Sequence, residues 1–430
     1  MKTKLFLLTL LLICLFGCEQ SETSTLNVEL SETNQVSMYE KSTEDMFDFM
    51  KQVYPEKYAK YYSIKNQFKP EILTKVSNNN FAKYAKSTTD ENIIDTLLYI
   101  VNFGEDDGFA VMDANNGDLL VLTEKGDLHA EDFNIVTDTN NINYNNPSVS
   151  VASLLTRGYN DGFVQNPNPG GTPTPGVSFY FYTSWETEST IAPIVKVKFH
   201  QYSPYNDDCP IRGTSNPAPA PAGCGPIAVI QLMSALKYPS TIDNISYDWD
   251  IIINNYTNTY HPLHATLSKW IHKIGKQSSV SYGADGSGTT LLLTRLCLLA
   301  YDKFSNVNLK YDISYDNIIN MINLGLPIIC QGCQSNSITT GHIWLLDGMA
   351  YQYRYRKEYR NNVLVSQTKE TRQLVHCNYG WGGTCDGYYK IDLFNVGEGP
   401  ITRENIDTGN PTSTYPDFNY NTCMLTYEFN

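Results

Sequence analysis

Gly223-Cys224-Gly225-Pro226-Ile227-Ala228-Val229-Ile230-Gln231-Leu232-Met233-Ser234-Ala235-Leu236 is the stretch on which the reading of this chain turns. Apolar side chains at 227, 229, 230, 232, 233 and 236 cover most of a helical circumference, the pattern of a helix buried through the centre of a domain. Pro226 suits the first helical position, and Pro239 ends the run. Cys224 then stands at the amino end of that helix, where unpaired backbone N–H groups and the helix dipole favour thiolate. Thiolate is the reactive form for acyl transfer. Glycine on both sides, and the Pro/Ala run from Pro217 to Ala222, argue for an elbow rather than an inert core cysteine.

A thiol nucleophile needs a base. Of the seven histidines, His342 lies in Thr340-Gly-His-Ile-Trp-Leu-Leu-Asp-Gly348, which reads as a short buried strand with a flexible glycine before the histidine. A strand of this kind holds an imidazole at the edge of a cleft. A hairpin follows. Tyr351, Tyr353 and Tyr355 alternate with polar residues, Arg360-Asn361-Asn362 reads as its turn, and the return strand runs through Arg372 to Cys377. It delivers Asn378, in Asn378-Tyr-Gly-Trp-Gly-Gly383, beside the strand of His342. The Asn378 side-chain oxygen is expected to accept the imidazole N–H and set its tautomer, and Trp381 to shield that bond from water. This is the Cys-His-Asn logic of papain-like peptidases.

With these residues assembled, the chain resembles the streptopain family of bacterial cysteine peptidases. The matching signatures are Gln201-Tyr-Ser-Pro-Tyr-Asn206, Ala222-Gly-Cys-Gly-Pro226 with Gln231-Leu-Met233 and Tyr238-Pro239, Gly341-His-Ile-Trp-Leu-Leu-Asp-Gly348, and His376-Cys-Asn-Tyr-Gly-Trp-Gly-Gly383 with Gly387-Tyr-Tyr389. They occur in family order. Tyr282-Gly-Ala-Asp-Gly-Ser-Gly-Thr289 also resembles a Gly/Ser loop that borders the family's substrate cleft. The resemblance implies an α+β, papain-like peptidase of two subdomains: a central helix carries the cysteine, and an antiparallel sheet carries the histidine and asparagine. It implies catalytic roles for Cys224, His342, Asn378 and Gln201, the last as an oxyanion donor beside the Cys224 N–H. It places Gly341, Trp381 and Ser287 against substrate. The chain departs from the family pattern at Tyr379, where a tryptophan is usual, at Gly225-Pro226, and in a longer hairpin between His342 and Asn378. These departures bear on cleft shape and specificity more than on the chemistry.

The chain has 430 residues, room for two or three domains at roughly 150 residues each. Apolar residues at 41% and charged residues at 18% exclude a wholly disordered chain and a multi-span membrane protein. A formal charge of −14 argues against nucleic acid as a partner, since binders need a basic footprint. Two lysines and then Leu5 to Phe16 have the layout of an export signal, and the run is shorter than the ~20 residues of a spanning helix. Leu15-Phe16-Gly17-Cys18 resembles the bacterial lipobox, which implies cleavage before Cys18, acylation of its sulfur, and a lipoprotein held at the outer membrane or cell surface, or released after maturation.

The expected order is signal peptide 1–17, tether 18–25, pro-domain 26–136, linker and maturation region 137–182, and peptidase domain 183–430. The pro-domain is read as small and α+β. Residues 40 to 62 have mixed helical periodicity. Three apolar runs between Leu97 and Leu122, broken by Gly104-Glu-Asp-Asp-Gly108 and Asn115-Asn-Gly117, indicate an antiparallel meander. Family members are made as zymogens, so the resemblance implies that this segment inhibits the enzyme until the linker, centred on Asn166-Pro-Asn-Pro-Gly-Gly-Thr-Pro-Thr-Pro-Gly176, is cut.

The pair Cys330/Cys333 has no second pair at zinc-site spacing. No metal or organic cofactor is expected. The sequence reading is a lipid-anchored cysteine endopeptidase acting on proteins or peptides. A silent binding lipoprotein on the same fold, or a papain-like transglutaminase or amidase, is the alternative.

Overall fold

The architecture follows from one long hairpin. In the computed structural model, strand β9 (Gly341–Arg360) and strand β10 (Val363–Asn378) pair antiparallel from Leu345 opposite Asn378 to Arg360 opposite Val363. The structure describes residues 38–74, 96–135, 178–394 and 420–430, apart from positions 115, 243, 247, 312, 334–340 and 361–362, and adds isolated positions between 147 and 155. The expected signal peptide, Cys18, the tether and most of the 137–182 linker fall outside these residues.

The far edge of β9 meets three partners in turn: β8 (Ile328–Cys333) along Gly341–Leu346, β6 (Glu186–Ile191) along Met349–Tyr353, and β5 (Ser178–Tyr182) along Arg356–Arg360. Beyond β8 lie β12 (Tyr420–Phe429) and β7 (Phe304–Lys310). On the other side β10 pairs with β11 (Gly387–Lys390).

The meander is present: β2 (Thr96–Asn102), β3 (Phe109–Asp113) and β4 (Leu119–Thr123) pair in order, with β1 (Glu71–Thr74) outermost. It does not stand apart. β4 pairs with β11, Tyr388 opposite Leu122, so one 12-stranded sheet runs through both halves. Met38–Asn430 form one compact unit. The expected helical periodicity appears as α1 (Met38–Val53) and α2 (Pro55–Tyr61). The buried Met46, Phe47, Phe49 and Met50 of α1 pack with Met112 and Leu122 of the meander and with Ala350, Leu374 and Tyr388 of the hairpin region. Pairing of β4 with β11 closes a sheet edge that would otherwise be open, and α1 covers the seam with apolar side chains.

Helix α3 (Cys224–Leu236) is buried from Cys224 through Ser234. The apolar circumference predicted this. The helix begins at Cys224, however, two residues before the expected Pro226 start. Pro226 still lies in the first turn, where its missing N–H breaks no helical bond. Helices α5 (Leu263–Gln277) and α6 (Leu291–Leu298) pack on α3; α4 (Trp249–Asn255) meets α5 through the rings of Trp249 and Trp270, and α7 (Tyr315–Asn323) lies on β8 and β9. Among the described residues no helix is long and apolar enough to cross a membrane.

Candidate active site

The site is built where the first turn of α3 meets the start of β9. Gly223 enters the helix at φ +90°, a conformation that glycine adopts without the strain of a side chain. A Cβ there would lie 3.3 Å from the Ser287 carbonyl oxygen, so the 282–289 loop presses directly on the nucleophile elbow. Cys224 is buried rather than exposed, with 8% of its surface accessible. Burial pushes its thiol above the ordinary range, against the opposing pull of the backbone N–H groups of Ile343, Gly225 and Cys224 itself. The Ile343 N–H is the important one, because Ile343 follows His342. The first turn of α3 packs there on the start of β9, where a Cβ at Gly225 would lie 3.6 Å from Ile343 Cδ1, so Cys224 and His342 lie on adjoining segments.

His342 is buried on β9, and its Nε2 lies 2.8 Å from the Tyr379 carbonyl oxygen. A carbonyl only accepts, so this nitrogen carries the proton and donates. The ring stacks on Trp381 with centroids 4.5 Å apart and lies near Trp344 and Tyr379. Burial lowers its pKa to about 4, with the Tyr379 carbonyl pulling the other way. At neutral pH the covered pair is therefore a thiol and a neutral imidazole. Trp381 covers the imidazole ring, but the expected His342–Asn378 bond that it was to shield is not made.

The expected role of Asn378 is corrected. Its side-chain oxygen accepts from Gln231 Nε2 at 2.9 Å and from the Gly380 N–H at 3.2 Å, while its Nδ2 donates to the Val197 carbonyl at 3.1 Å. The His342 N–H goes instead to the carbonyl of the next residue, Tyr379. Strand β10 ends at Asn378, and the turn to Gly380 (φ +71°) directs the Tyr379 carbonyl at the ring. Asn378 closes that turn from inside. A Cβ at Gly380 would sit 2.8 Å from Ile227 Cγ2, so only glycine lets the turn lie on α3.

Gln201 lies on an irregular segment pinned to the elbow: its carbonyl accepts from the Ala222 N–H at 2.8 Å, two residues before Cys224. Gly341 is exposed at the start of β9. Ser287 sits beside Gly223, and its Oγ is enclosed with no partner among the described residues. Gln201, Cys224, Ser287, His342 and Trp381 are thus gathered around the start of α3 and of β9, with Asn378 behind them. Cys18 lies outside the described residues. Among the described residues, no group of three His, Cys, Asp or Glu side chains could hold a metal ion.

Sequence reasoning missed two residues. Gln231 had a signal, since it is the one amide among the apolar residues of α3. Asp386 accepts the Tyr379 N–H at 2.8 Å, and burial pushes its pKa up to about 7. Nothing local in Thr384-Cys-Asp386 marks it.

Behind the site lies a second polar cluster. His376 Nδ1 is 2.6 Å from Asp347 and its Nε2 is 3.2 Å from Glu124, which also pairs with Lys198. Burial alone would lower the His376 pKa. Asp347 and Glu124 outweigh it and raise the value to about 10. Glu124 comes from the end of β4, so this cluster ties the meander to the hairpin.

Residues 199–389 match the model of the Peptidase C10 family, whose members are cysteine peptidases of the streptopain kind. The match spans Gln201, Cys224, His342 and Asn378. No curated protein matches the chain.

Proposed function

Because residues 199–389 belong to the Peptidase C10 family, which makes the chain a cysteine-type peptidase and a hydrolase acting on proteins or peptides, we propose that it is an exported, lipid-anchored endopeptidase made as a zymogen, papain-like in the layout of its helix and sheet. The observation that carries the site assignment is the close packing of the first turn of α3 on the start of β9: a Cβ at Gly225 would lie 3.6 Å from Ile343 Cδ1, and these residues adjoin Cys224 and His342.

In the proposed reaction His342 takes the thiol proton, and the Cys224 sulfur forms a bond to the substrate carbonyl carbon. The electron pair of the C=O bond moves to oxygen. The Cys224 N–H and the Gln201 side chain hold that oxyanion; one such donor is worth about 2.7–4 kcal/mol of transition-state stabilisation. The C–N bond then breaks, and His342 returns its proton to the leaving amine. Water, deprotonated by the same imidazole, releases the acid and regenerates the thiol. Asn378 serves the base indirectly, by closing the turn that presents the Tyr379 carbonyl. The 282–289 loop with Ser287, together with Gly341 and Trp381, borders the substrate.

The zymogen reading is supported by β4 extending the peptidase sheet at β11 and by Glu124 reaching His376 and Lys198. Cleavage within 137–182 would cut the covalent link between the two halves. The lipid anchor is supported by Lys2, Lys4, the apolar run to Phe16, and Gly17-Cys18. Parallel preparations of the full chain and Cys224→Ala, followed by intact mass and by casein hydrolysis under reducing conditions, test this. The expected result is acylation at Cys18 in the uncleaved Cys224→Ala chain, and loss of the N-terminal part with casein cleavage in the parent alone. A parent that neither matures nor cleaves casein, or a Cys224→Ala chain that behaves like it, overturns the peptidase assignment. A Cys224→Ala chain whose mass lacks acyl chains overturns the anchor.

A further inference from the structure

Gln231 lies seven residues after Cys224 on α3. Two helical turns separate them, so they share a face of the helix about 10 Å apart. The side chain is fully buried in an otherwise apolar helix. Burying a primary amide is costly unless it is bonded, and a bonded one is directional. Both ends of Gln231 are used. Its Oε1 accepts the Phe199 N–H at 2.9 Å, and its Nε2 donates to Asn378 Oδ1 at 2.9 Å.

These two bonds reach the two other elements of the site. Phe199 is two residues before Gln201. Asn378 opens the turn whose middle carbonyl, that of Tyr379, holds His342. The Asn378 amide closes a loop between them by donating to Val197 O and accepting the Gly380 N–H. A single amide on the nucleophile's own helix therefore sets the spacing of all three. Misplacement of a reacting group by about 1 Å can cost on the order of a hundredfold in rate.

We propose that Gln231 is a positioning residue for the reaction: through Phe199 and Asn378 it holds the oxyanion-side segment and the His342-bearing turn in register with Cys224. The proposal rests on the peptidase assignment above and deepens it. It differs from a mere core-packing role because it depends on the polarity of each end of the side chain.

Glutamate at 231 tests that dependence. Its carboxylate still accepts from the Phe199 N–H but turns an oxygen, not a donor, toward Asn378 Oδ1. Once protonated, the carboxylic acid presents a carbonyl and an O–H and restores both bonds. Burial raises a carboxyl pKa, so protonation falls within a measurable range. Gln231→Glu and Gln231→Met are prepared as full chains beside the parent and Cys224→Ala. The readouts are kcat and KM for casein or a derived peptide, the rate of Cys224 alkylation by iodoacetamide, and Tm. The expected result for Gln231→Met is a fall in kcat of about ten- to a hundredfold with KM within about twofold. For Gln231→Glu, the ratio of its kcat to the parent's should be low at pH 8 and climb toward one as pH falls.

A Gln231→Glu ratio that is flat with pH overturns the proposal, and so does Gln231→Met with parental kcat. If Gln231→Met does not fold, the Glu ratio alone decides. A parent that is itself inactive, or no faster than Cys224→Ala, marks failure of the peptidase assignment instead. An active parent with indifferent Gln231 variants marks failure of the positioning role alone.

Discussion

Two buried histidines on neighbouring strands of one hairpin are held in opposite charge states. His342 on β9 is walled by Trp344, Tyr379 and Trp381 and bonded to a carbonyl, and burial lowers its pKa to about 4. His376 on β10 is equally buried, yet Asp347 and Glu124 raise it to about 10. The backbone helps aim Asp347: it is the extra residue of a bulge in β9, where Leu346 and Gly348 oppose consecutive residues of β10. The difference shows what a fold asks of each ring. A base must gain and lose a proton during turnover, so neutral surroundings suit it. A histidine that cements two halves of a sheet must stay charged, so carboxylates surround it.

Exchanging the two histidines' fates is the strongest way to break this comparison. His342→Ala should reduce casein hydrolysis by about 10⁴- to 10⁶-fold, the scale seen when a base that acts with a nucleophile is removed, with Tm close to the parent's. His376→Gln should do the reverse. It strands buried carboxylates, a loss of about 3–5 kcal/mol in denaturant unfolding, while the rate of the surviving folded enzyme stays within severalfold. A His376 variant that keeps its stability and loses its chemistry would contradict the division of labour.

Trp381→Ala sharpens the comparison from the other side. Removing the ring stacked on His342 admits water, and the imidazole pKa should move up from about 4 toward its ordinary value of about 6.5. The pH dependence of Cys224 alkylation by iodoacetamide reads this directly, and kcat should fall by about ten- to a hundredfold. An unmoved alkylation profile means that burial by other groups sets the value.

Glu124→Gln is the mildest probe. The Glu124 carboxyl is held at about 2, where burial opposes ionisation and His376 and Lys198 outweigh it. Such a depressed carboxyl contributes stability that is complete above its unfolded range near pH 4.3 and is lost as pH falls through about 2. His376, raised to about 10, contributes stability that is complete below about pH 6.5 and is lost as pH rises through about 10. Tm measured from pH 2 to 10 should therefore show the parent's advantage over Glu124→Gln at its widest between about pH 4.5 and 6.5, at about 1–3 kcal/mol. The advantage should shrink on both sides. Equal profiles would mean that the two halves are held by the apolar seam under α1 alone.

Much of this was legible in the sequence. The buried helix from Cys224 was readable because apolar side chains covered its circumference. The hairpin was readable because Arg360-Asn361-Asn362 divides two alternating runs, and the meander because glycine turns divide three apolar ones. Asn378 was read as the partner of His342 because residue type and strand proximity both pointed there. The geometry gave that place to the Tyr379 carbonyl, which no side-chain motif can announce, since every residue carries one. The continuity of the meander with the peptidase sheet was hidden for a similar reason. Strand pairing is made by backbone groups, and it sets Gly387, Tyr388 and Tyr389 of β11 opposite Thr123, Leu122 and Val121 of β4.

By itself, the sequence determined which residues could do chemistry: a cysteine at a helix start, a histidine in a buried strand, an amide after the return strand, and their order in the family pattern. Only the tertiary structure decided which of them touch, that Gln231 spans the three elements, and which buried histidine carries charge. The physical reason is range. Helix and strand patterns arise from neighbours a few residues apart, whereas burial, desolvation and hydrogen-bond partners come from residues as distant as Glu124 and His376, which meet only when the sheet closes.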